Sequence, residues 1–325
     1  EGVISGIPHD CLVIVVSNSQ GGRIDRFRME MDALSQFCHF TQRQALSVHQ
    51  KDPVLARAFA EAGYADMLGE DGLVRDGKCE GMVIGIMLAM LCNKSYVAFT
   101  DADNYIPGAV WEYARNFAAG FIMANSPYVM VRNLWSYKPK ISEGMYFRKW
   151  GRVSEVCNRY MNMIISSKTG FETDVIKTAN SGEHAMSMEL VELLPYATGF
   201  AVEPYELLFL FEQFGGILPM GRREAVKQGI EIFQIETRNP HLHEEKGEWH
   251  LEEMLVPALS LFYHSPLCEP DIKNMILEEL QSRGSLKPDE EPPKPTIIPP
   301  LKKAKVRDFA KILNEHMPSY SALEV

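Results

Sequence analysis

Short apolar runs rich in β-branched residues alternate with longer stretches of helical spacing along the first 135 residues. Residues 12–16 form an apolar run that stops at the polar segment 17–22, which predicts a buried strand ending in a loop. Residues 25–40 carry helical periodicity, and 45–49 predict a second strand. Asp52 and Pro53 then supply a cap and a first-turn proline for a helix closing near Gly63. After a loop rich in glycine and aspartate, 79–92 predict a buried helix, 96–100 a strand, and Pro107 opens another helix. Residues 128–135 and the Tyr146-Phe147 region predict further strands before a long helix starting near Trp150. Beyond Gly199 the alternation weakens and helices are expected to dominate. Strands alternating with helices imply an α/β fold built on a doubly wound, mainly parallel sheet. Six prolines lie between 287 and 300, too many for a helix or central strand, so an extended arm is expected there with a short terminal helix after it.

Composition narrows the functional classes. With 325 residues, 46% of them hydrophobic and 23% charged, the chain can bury a sizeable core. A net charge of -10 argues against a nucleic-acid partner, because neutralising phosphates needs clustered basic residues. An anionic substrate must therefore meet a local basic site. The cysteines at 11, 38, 79, 92, 157 and 268 lack paired metal spacing, and several sit in apolar runs, so a reduced, cytoplasmic protein is expected. The longest nearly unbroken apolar run, 81–92, is too short to span a bilayer, so no membrane segment or signal peptide is expected.

The chemistry concentrates at Asp101-Ala102-Asp103-Asn104. The apolar strand before it delivers both carboxylates at its carboxyl end, where open α/β sheets bind ligands. In extended backbone, residues two apart face the same way, so both carboxylates can address one divalent cation or, through it, a diphosphate. A calcium loop counted from Asp101 places Glu112 correctly at position twelve. It fails at Tyr105 and Ile106, where an oxygen ligand and a glycine should stand. The segment from Gly72 to Cys79 imitates a phosphate loop, but Cys79 replaces the required hydroxyl and no apolar strand precedes it. Lys78, following Gly77 at a helix start, keeps the charge and position of a phosphate contact. Arg152, between Gly151 and a helix start bearing Ser154, likewise suits a phosphate or carboxylate.

These residues sit within a longer set of motifs. Ser17-Asn18-Ser19, His49-Gln50-Lys51-Asp52-Pro53, Gly77-Lys78-Cys79-Glu80-Gly81, the stretch from Asp101 to Ala109, Lys149 to Glu155, Ser181-Gly182-Glu183-His184, Val202-Glu203-Pro204-Tyr205 and Asn239 to Glu244 appear in that order. Together they resemble the mannosyl-3-phosphoglycerate synthase family from about residue 1 to about residue 300. The resemblance implies a GT-A glycosyltransferase fold and transfer of mannose from GDP-mannose to 3-phosphoglycerate with retention of configuration. It implies donor contacts at Ser17, Asn18, Gln50, Lys51, Gly77, Lys78 and Ala102, and an acceptor loop of Gly151, Arg152, Val153 and Ser154. Asn180, Gly182 and Glu183 would line the acceptor and sugar pocket, with Glu203 near the transferred mannose. Asp101 and Asp103 would hold the metal, completed by a histidine, His243 in preference to His241. Oxygen-rich ligands favour magnesium or manganese, while a histidine tolerates zinc or cobalt. A homodimer is also implied.

On this reading residues 1–135 form the nucleotide-sugar half, 136–286 the acceptor-binding and helical half, and 287–325 the proline-rich arm and terminal helix. The family pattern begins with a further apolar strand whose loop grips the nucleobase, and the first strand found here corresponds to its second. The first nucleotide-binding strand is therefore expected to be missing. Glucosyl transfer to the same acceptor and an inactive sugar-nucleotide binder are the alternatives.

Overall fold

The alternation of strand and helix is realised in a computed structural model that describes residues 2–104, 106–135, 138–142, 145–149, 151–171, 173–218, 223–241 and 248–316. A short helix α1 (Gly2–Gly6) precedes strand β1 (Val13–Ser17), helix α2 (Arg26–Thr41) and strand β2 (Ala45–His49). β1 and β2 pair in parallel, with Val13 opposite Ala45 and Ser17 opposite His49. Asp25 caps α2 by accepting from Arg28 N at 3.0 Å, and Asp52 caps α3 (Pro53–Glu61) by accepting from Val54 N at 2.7 Å. Helix α4 (Lys78–Leu91) is apolar around most of its circumference, and nine of its fourteen residues are buried, which makes it the central helix of the main core.

Strand β3 (Tyr96–Phe99) leads to helix α5 (Pro107–Met123), strand β4 (Val129–Trp135), the hairpin β5 (Lys138–Ser142) and β6 (Met145–Lys149), and helix α6 (Arg152–Thr169). Gly170, at φ 71°, ends α6 in the left-handed conformation that glycine adopts without a Cβ clash. Then come strand β7 (His184–Ser187), helix α7 (Met188–Val191), strand β8 (Tyr196–Ala197), helix α8 (Val202–Phe214), helix α9 (Arg223–Gln228) and strand β9 (Glu231–Thr237). The larger sheet has the order β3-β7-β4-β9. β7 runs antiparallel to both β3 and β4, whereas β4 and β9 are parallel, so the fold is α/β with a mixed sheet. All four β7 residues are buried, so the strand lacks the polar-apolar alternation that marks a half-exposed one.

Among the described residues β1 pairs only with β2, and β3 only with β7. Val13 to Val16 and Tyr96 to Phe99 line one cavity of about 2470 Å³. Gly81 and Gly85 of α4 line it too, and a side chain at Gly85 would meet open space.

The remaining elements are helices α10 (Glu248–His264) and α11 (Pro270–Ser282), strand β10 (Ile297–Ile298) and helix α12 (Val306–His316). The proline-rich arm crosses its own chain as a strap. Ile298 of β10 pairs antiparallel with Tyr196 of β8, Tyr64 Oη donates to Pro300 O at 2.5 Å, and Lys305 N donates to Ala62 O at 3.1 Å. Beyond the strap, α12 sets buried Phe309 edge-on to Phe59 of α3, with ring centroids 5.0 Å apart. Truncating a buried aromatic removes its transfer free energy and leaves a cavity. Phe309→Ala should therefore cost about 3–5 kcal/mol in urea unfolding. A loss under about 1 kcal/mol would show that α12 is not part of the cooperative unit.

Candidate active site

β3 ends one residue before the acidic segment and delivers it to the cavity described above. The segment is a turn rather than the extended backbone expected from its spacing. Buried Asn104 closes that turn: its side-chain N–H donates to Asp101 O at 2.9 Å, and its backbone N donates to the same oxygen at 3.4 Å. The second N–H of the Asn104 amide donates to Glu183 Oε1 at 2.8 Å. Asp101, Ala102 and Asp103 all line the cavity, so the turn still presents the motif to a ligand.

Three elements then converge on one charge. Lys78, the first residue of α4, places Nζ 2.7 Å from Asp101 Oδ1 and 2.6 Å from Glu203 Oε1, where Glu203 opens α8. Burial alone would lower the Lys78 ammonium, but Asp101 and Glu203 outweigh it and hold it well above its ordinary value. Lys78 therefore carries its charge across the physiological range. Gly182 sits against this pair, and a side chain there would press on Asp101 Oδ2 and Lys78 Nζ. Glu183 lies behind the cavity wall, fully buried, with Oε2 lacking a hydrogen-bond partner among the described residues. Burial, and next the charge of Asp101, push its carboxyl up to about 8 against the pull of Lys78 and the Asn104 bond.

The expected donor residues gather on the same cavity. Gln50 donates to Arg75 O at 2.6 Å and Gly77 O at 3.3 Å, which fixes the loop that launches Lys78. Lys51 Nζ lies 3.1 Å from Asp76 Oδ2, and Asn18 donates to Asp76 Oδ1 at 3.0 Å. Ser17 Oγ donates to Glu30 Oε2 at 2.5 Å. Of the expected acceptor residues, Gly151 stands at the N-cap position of α6, and Arg152, Val153 and Ser154 follow on its first turn, all lining the cavity. Val153 itself is buried and belongs to the core. Asn180 is buried, lines the cavity, and has neither amide atom hydrogen-bonded among the described residues. Such an orphan amide is a ready ligand contact.

His241 is also buried at the cavity, stacked on Trp135 with ring centroids 4.1 Å apart, and Tyr113 Oη stands 3.5 Å from its Nδ1. His243 lies outside the described residues. Among the described residues no three His, Cys, Asp or Glu side chains form a ready metal cluster. The donor set nevertheless fits a divalent cation in kind, since the carboxylates of Asp101 and Asp103 and the imidazole of His241 line the same cavity.

Sequence reasoning missed the support beneath these residues. Arg132 of β4 is fully buried. Its Nε donates to Thr178 O at 2.9 Å, and its terminal nitrogens donate to Glu206 Oε2 at 2.9 Å, Glu203 O at 3.1 Å and Ala179 O at 3.3 Å. His184 Nε2 stands 3.3 Å from the same Glu206 oxygen. One cation thus ties β4 to the segment before Asn180 and to the helix start at Glu203. Nothing in local spacing signals this network, because its members come from positions 132, 184 and 206.

A mixed α/β sheet with an acidic turn at one strand end, a half-buried helix-start lysine beside it and Arg152 lining the same cavity has the architecture of the GT-A glycosyltransferase class. The family model of mannosyl-3-phosphoglycerate synthase matches residues 1–313, and the chain belongs to that family. It is 48% identical over 318 residues to the mannosyl-3-phosphoglycerate synthase of Pyrococcus furiosus, covering 97% of this chain and 81% of that protein. It is 37% identical over 321 residues to the Aeropyrum pernix protein of the same name, covering 98% and 82%. A solved glucosyl-3-phosphoglycerate synthase from Mycobacterium tuberculosis, in complex with uridine diphosphate, shares the fold at a TM-score of 0.50 and 17% identity. That match covers 90% of this chain and 79% of the other.

The buried network has a pH signature. Burial raises the Glu206 carboxyl, but His184 and then Arg132 more than reverse this and leave it below the ordinary value. A depressed folded value stabilises the protein above the unfolded value, about 4.3, and that stability is lost as pH falls through the folded value. Parent and Glu206→Gln should therefore differ most in urea stability near neutral pH, and the gap should narrow below pH ~4.3. A gap that widens on acidification would contradict the assignment.

Proposed function

We propose that the chain transfers mannose from GDP-mannose to 3-phosphoglycerate with retention of configuration, giving mannosyl-3-phosphoglycerate. The observation that carries this reading is the Lys78 ammonium held between Asp101 and Glu203 in a cavity that the Arg152 loop also lines. Lys78, with Ser17, Asn18 and Lys51 beyond it, addresses the donor's nucleotide and diphosphate. Arg152, at the first turn of α6, pairs with the acceptor's anionic groups, aided by the helix N-terminus. Asn180 offers its unpaired amide to the acceptor or sugar hydroxyls, and Glu203 stands beside the transferred mannose.

Asp101, Asp103 and a histidine of the 241–243 segment would hold a divalent cation, magnesium or manganese in preference to cobalt or zinc. When bound, such a cation neutralises charge on the departing diphosphate. We assign no side chain as the base: the leaving phosphate accepts the acceptor's proton. No described helix is long and apolar enough to cross a membrane. A cytoplasmic location, supported by six cysteines that are all free thiols, and assembly as a homodimer complete the reading.

The test is product formation from GDP-mannose and 3-phosphoglycerate, followed by mass spectrometry with and without added magnesium or manganese. Turnover should need the cation, and Asp103→Ala should lower it about 100-fold or more, the usual effect of removing a stabiliser of developing charge. Arg152→Ala should raise KM for 3-phosphoglycerate about 10-fold or more, since hydrogen bonds to charged groups contribute about 1.5–3 kcal/mol. Equal rates with GDP-glucose would overturn the donor assignment. Unchanged turnover in Asp103→Ala would remove the cation from the site, and binding without turnover would mark a non-catalytic binder.

A further inference from the structure

The segment that carries His241 begins where β9 ends, and helix α5 grips it there. Glu112 lies on α5 and directs both carboxylate oxygens at that segment. Oε1 accepts from Arg238 N at 2.7 Å, while Oε2 accepts from Asn239 N at 2.9 Å and from the Asn239 side-chain amide at 2.8 Å. Thr237 Oγ1 adds a bond of 3.1 Å to Asn239 O, closing the turn at the end of β9. The neighbouring residue on α5, Tyr113, faces His241 Nδ1, and Trp135 at the end of β4 stacks on the His241 ring. Two successive residues of one helix thus act on the same segment, one on its backbone and one on its imidazole.

Three N–H donors converging on one carboxylate are more than an exposed glutamate requires. Glu112 is partly exposed, and the bonds to Arg238 N, Asn239 N and the Asn239 amide, together with the Arg238 charge, hold its carboxyl below the ordinary range despite the opposing effect of burial. It is therefore an anion at neutral pH and accepts at both oxygens. Two of its donors are backbone groups just past a strand end, where no ladder partner would otherwise satisfy them. The contact is thus a charge-assisted clamp on the backbone three residues before His241.

We propose that Glu112 is a positioning residue that holds residues 238–241 so that the histidine of this segment meets the cation addressed by Asp101 and Asp103. The proposal rests on the reading that a histidine of the 241–243 segment is a metal ligand. Glu112 is not among the residues that line the cavity, so it acts on the segment rather than on a ligand directly. It sets the affinity for the cation by fixing the backbone from which the ligand projects, in the way that partners behind a metal ligand commonly tune affinity by about 10–100-fold. The grading of substitutions follows from the geometry. Gln keeps one accepting oxygen but turns an NH2 group toward the N–H donors of the other side, so it should weaken the clamp partly. Ala removes the clamp entirely.

The experiment is direct titration of the purified chain with Mn2+, read by electron paramagnetic resonance, alongside thermal unfolding without metal. Parent, Glu112→Gln, Glu112→Ala, His241→Ala and His243→Ala are compared. The expected result is a Kd for Mn2+ raised about 10-fold or more in Glu112→Ala, with Glu112→Gln between Ala and parent and one of the histidine variants at least as weak. Unfolding temperatures of the Glu112 variants should stay close to that of the parent, because a merely structural role would move stability and leave the Kd alone. If a histidine variant loses affinity while both Glu112 variants bind Mn2+ as the parent does, the clamp is overturned and the metal reading stands. If neither histidine variant changes the Kd, or the parent binds no Mn2+, the metal reading fails and the proposal fails with it.

Discussion

One ammonium group joins the parts of the site. Lys78 opens α4, Asp101 follows β3 and Glu203 opens α8, and their side chains meet within 2.7 Å of Nζ. Two carboxylates this close repel each other and are costly to withdraw from water without a counter-charge. The lysine supplies that charge and so fixes where three separate elements may end or begin. Gly182 follows from the same constraint, because the space beside the pair is too tight for a side chain. Glu183 follows from it too, since it is buried behind Asp101 where a further negative charge is disfavoured and the neutral acid is retained well above the usual carboxylate range.

A second cation supports the first from below. Arg132 bonds to the Glu203 carbonyl while the Glu203 side chain bonds to Lys78, so this one residue is fixed at both backbone and side chain. Arg132 also holds the carbonyls of Thr178 and Ala179, directly before Asn180. A buried ion pair of this kind contributes little net stability when weighed against a well-packed apolar alternative. Its value here is registry, because it sets the segment before Asn180 and the α8 start relative to the same strand. Removing either partner would leave an uncompensated charge in the core, a far larger penalty than the pair's own net contribution.

How much of this the sequence reveals depends on whether the signal is local. β1, β2 and β3 are legible because each is an apolar run closed by polar residues, and Asp52 with Pro53 marks the α3 start in the expected way. β7 is not legible: four buried residues, His184 to Ser187, include a histidine and a serine satisfied by tertiary partners, and the run is too short to show a period. β9 falls in the region where helices were expected, and its pairing with β4 is a contact between positions about a hundred residues apart. Antiparallel insertion of β7 between β3 and β4 is likewise invisible to any local pattern. Most of the expected site residues line one cavity because they sit at element ends that the sequence marks. The roles of Arg132 and Glu206, and the contacts of Asn104 with Glu183 and of Glu112 with Arg238 and Asn239, are not legible because they exist only through partners distant in sequence.

The charge of the cavity wall constrains what can bind there. Asp101, Asp103 and Glu203 face the cavity with carboxyl groups, and Lys78 already compensates two of them. A sugar nucleotide brings a diphosphate, whose negative charge meets an acidic turn where, among the described residues, Lys78 is already shared between two carboxylates. Two unit charges 4 Å apart interact by about 4 kcal/mol at the effective dielectric of a protein surface, which is enough to forbid close approach of two anions. Lys51 and Arg152 line the same cavity, and Lys51 is itself paired to Asp76. On the proposed reading, additional positive charge beside Asp101 favours the approach of the diphosphate. If these carboxylates hold a divalent cation, as proposed, it supplies that charge, and each ligand then raises the other's affinity by the same factor. On that reading the acidic turn, which in isolation looks hostile to an anionic donor, becomes the part of the cavity lining that couples donor binding to the cation.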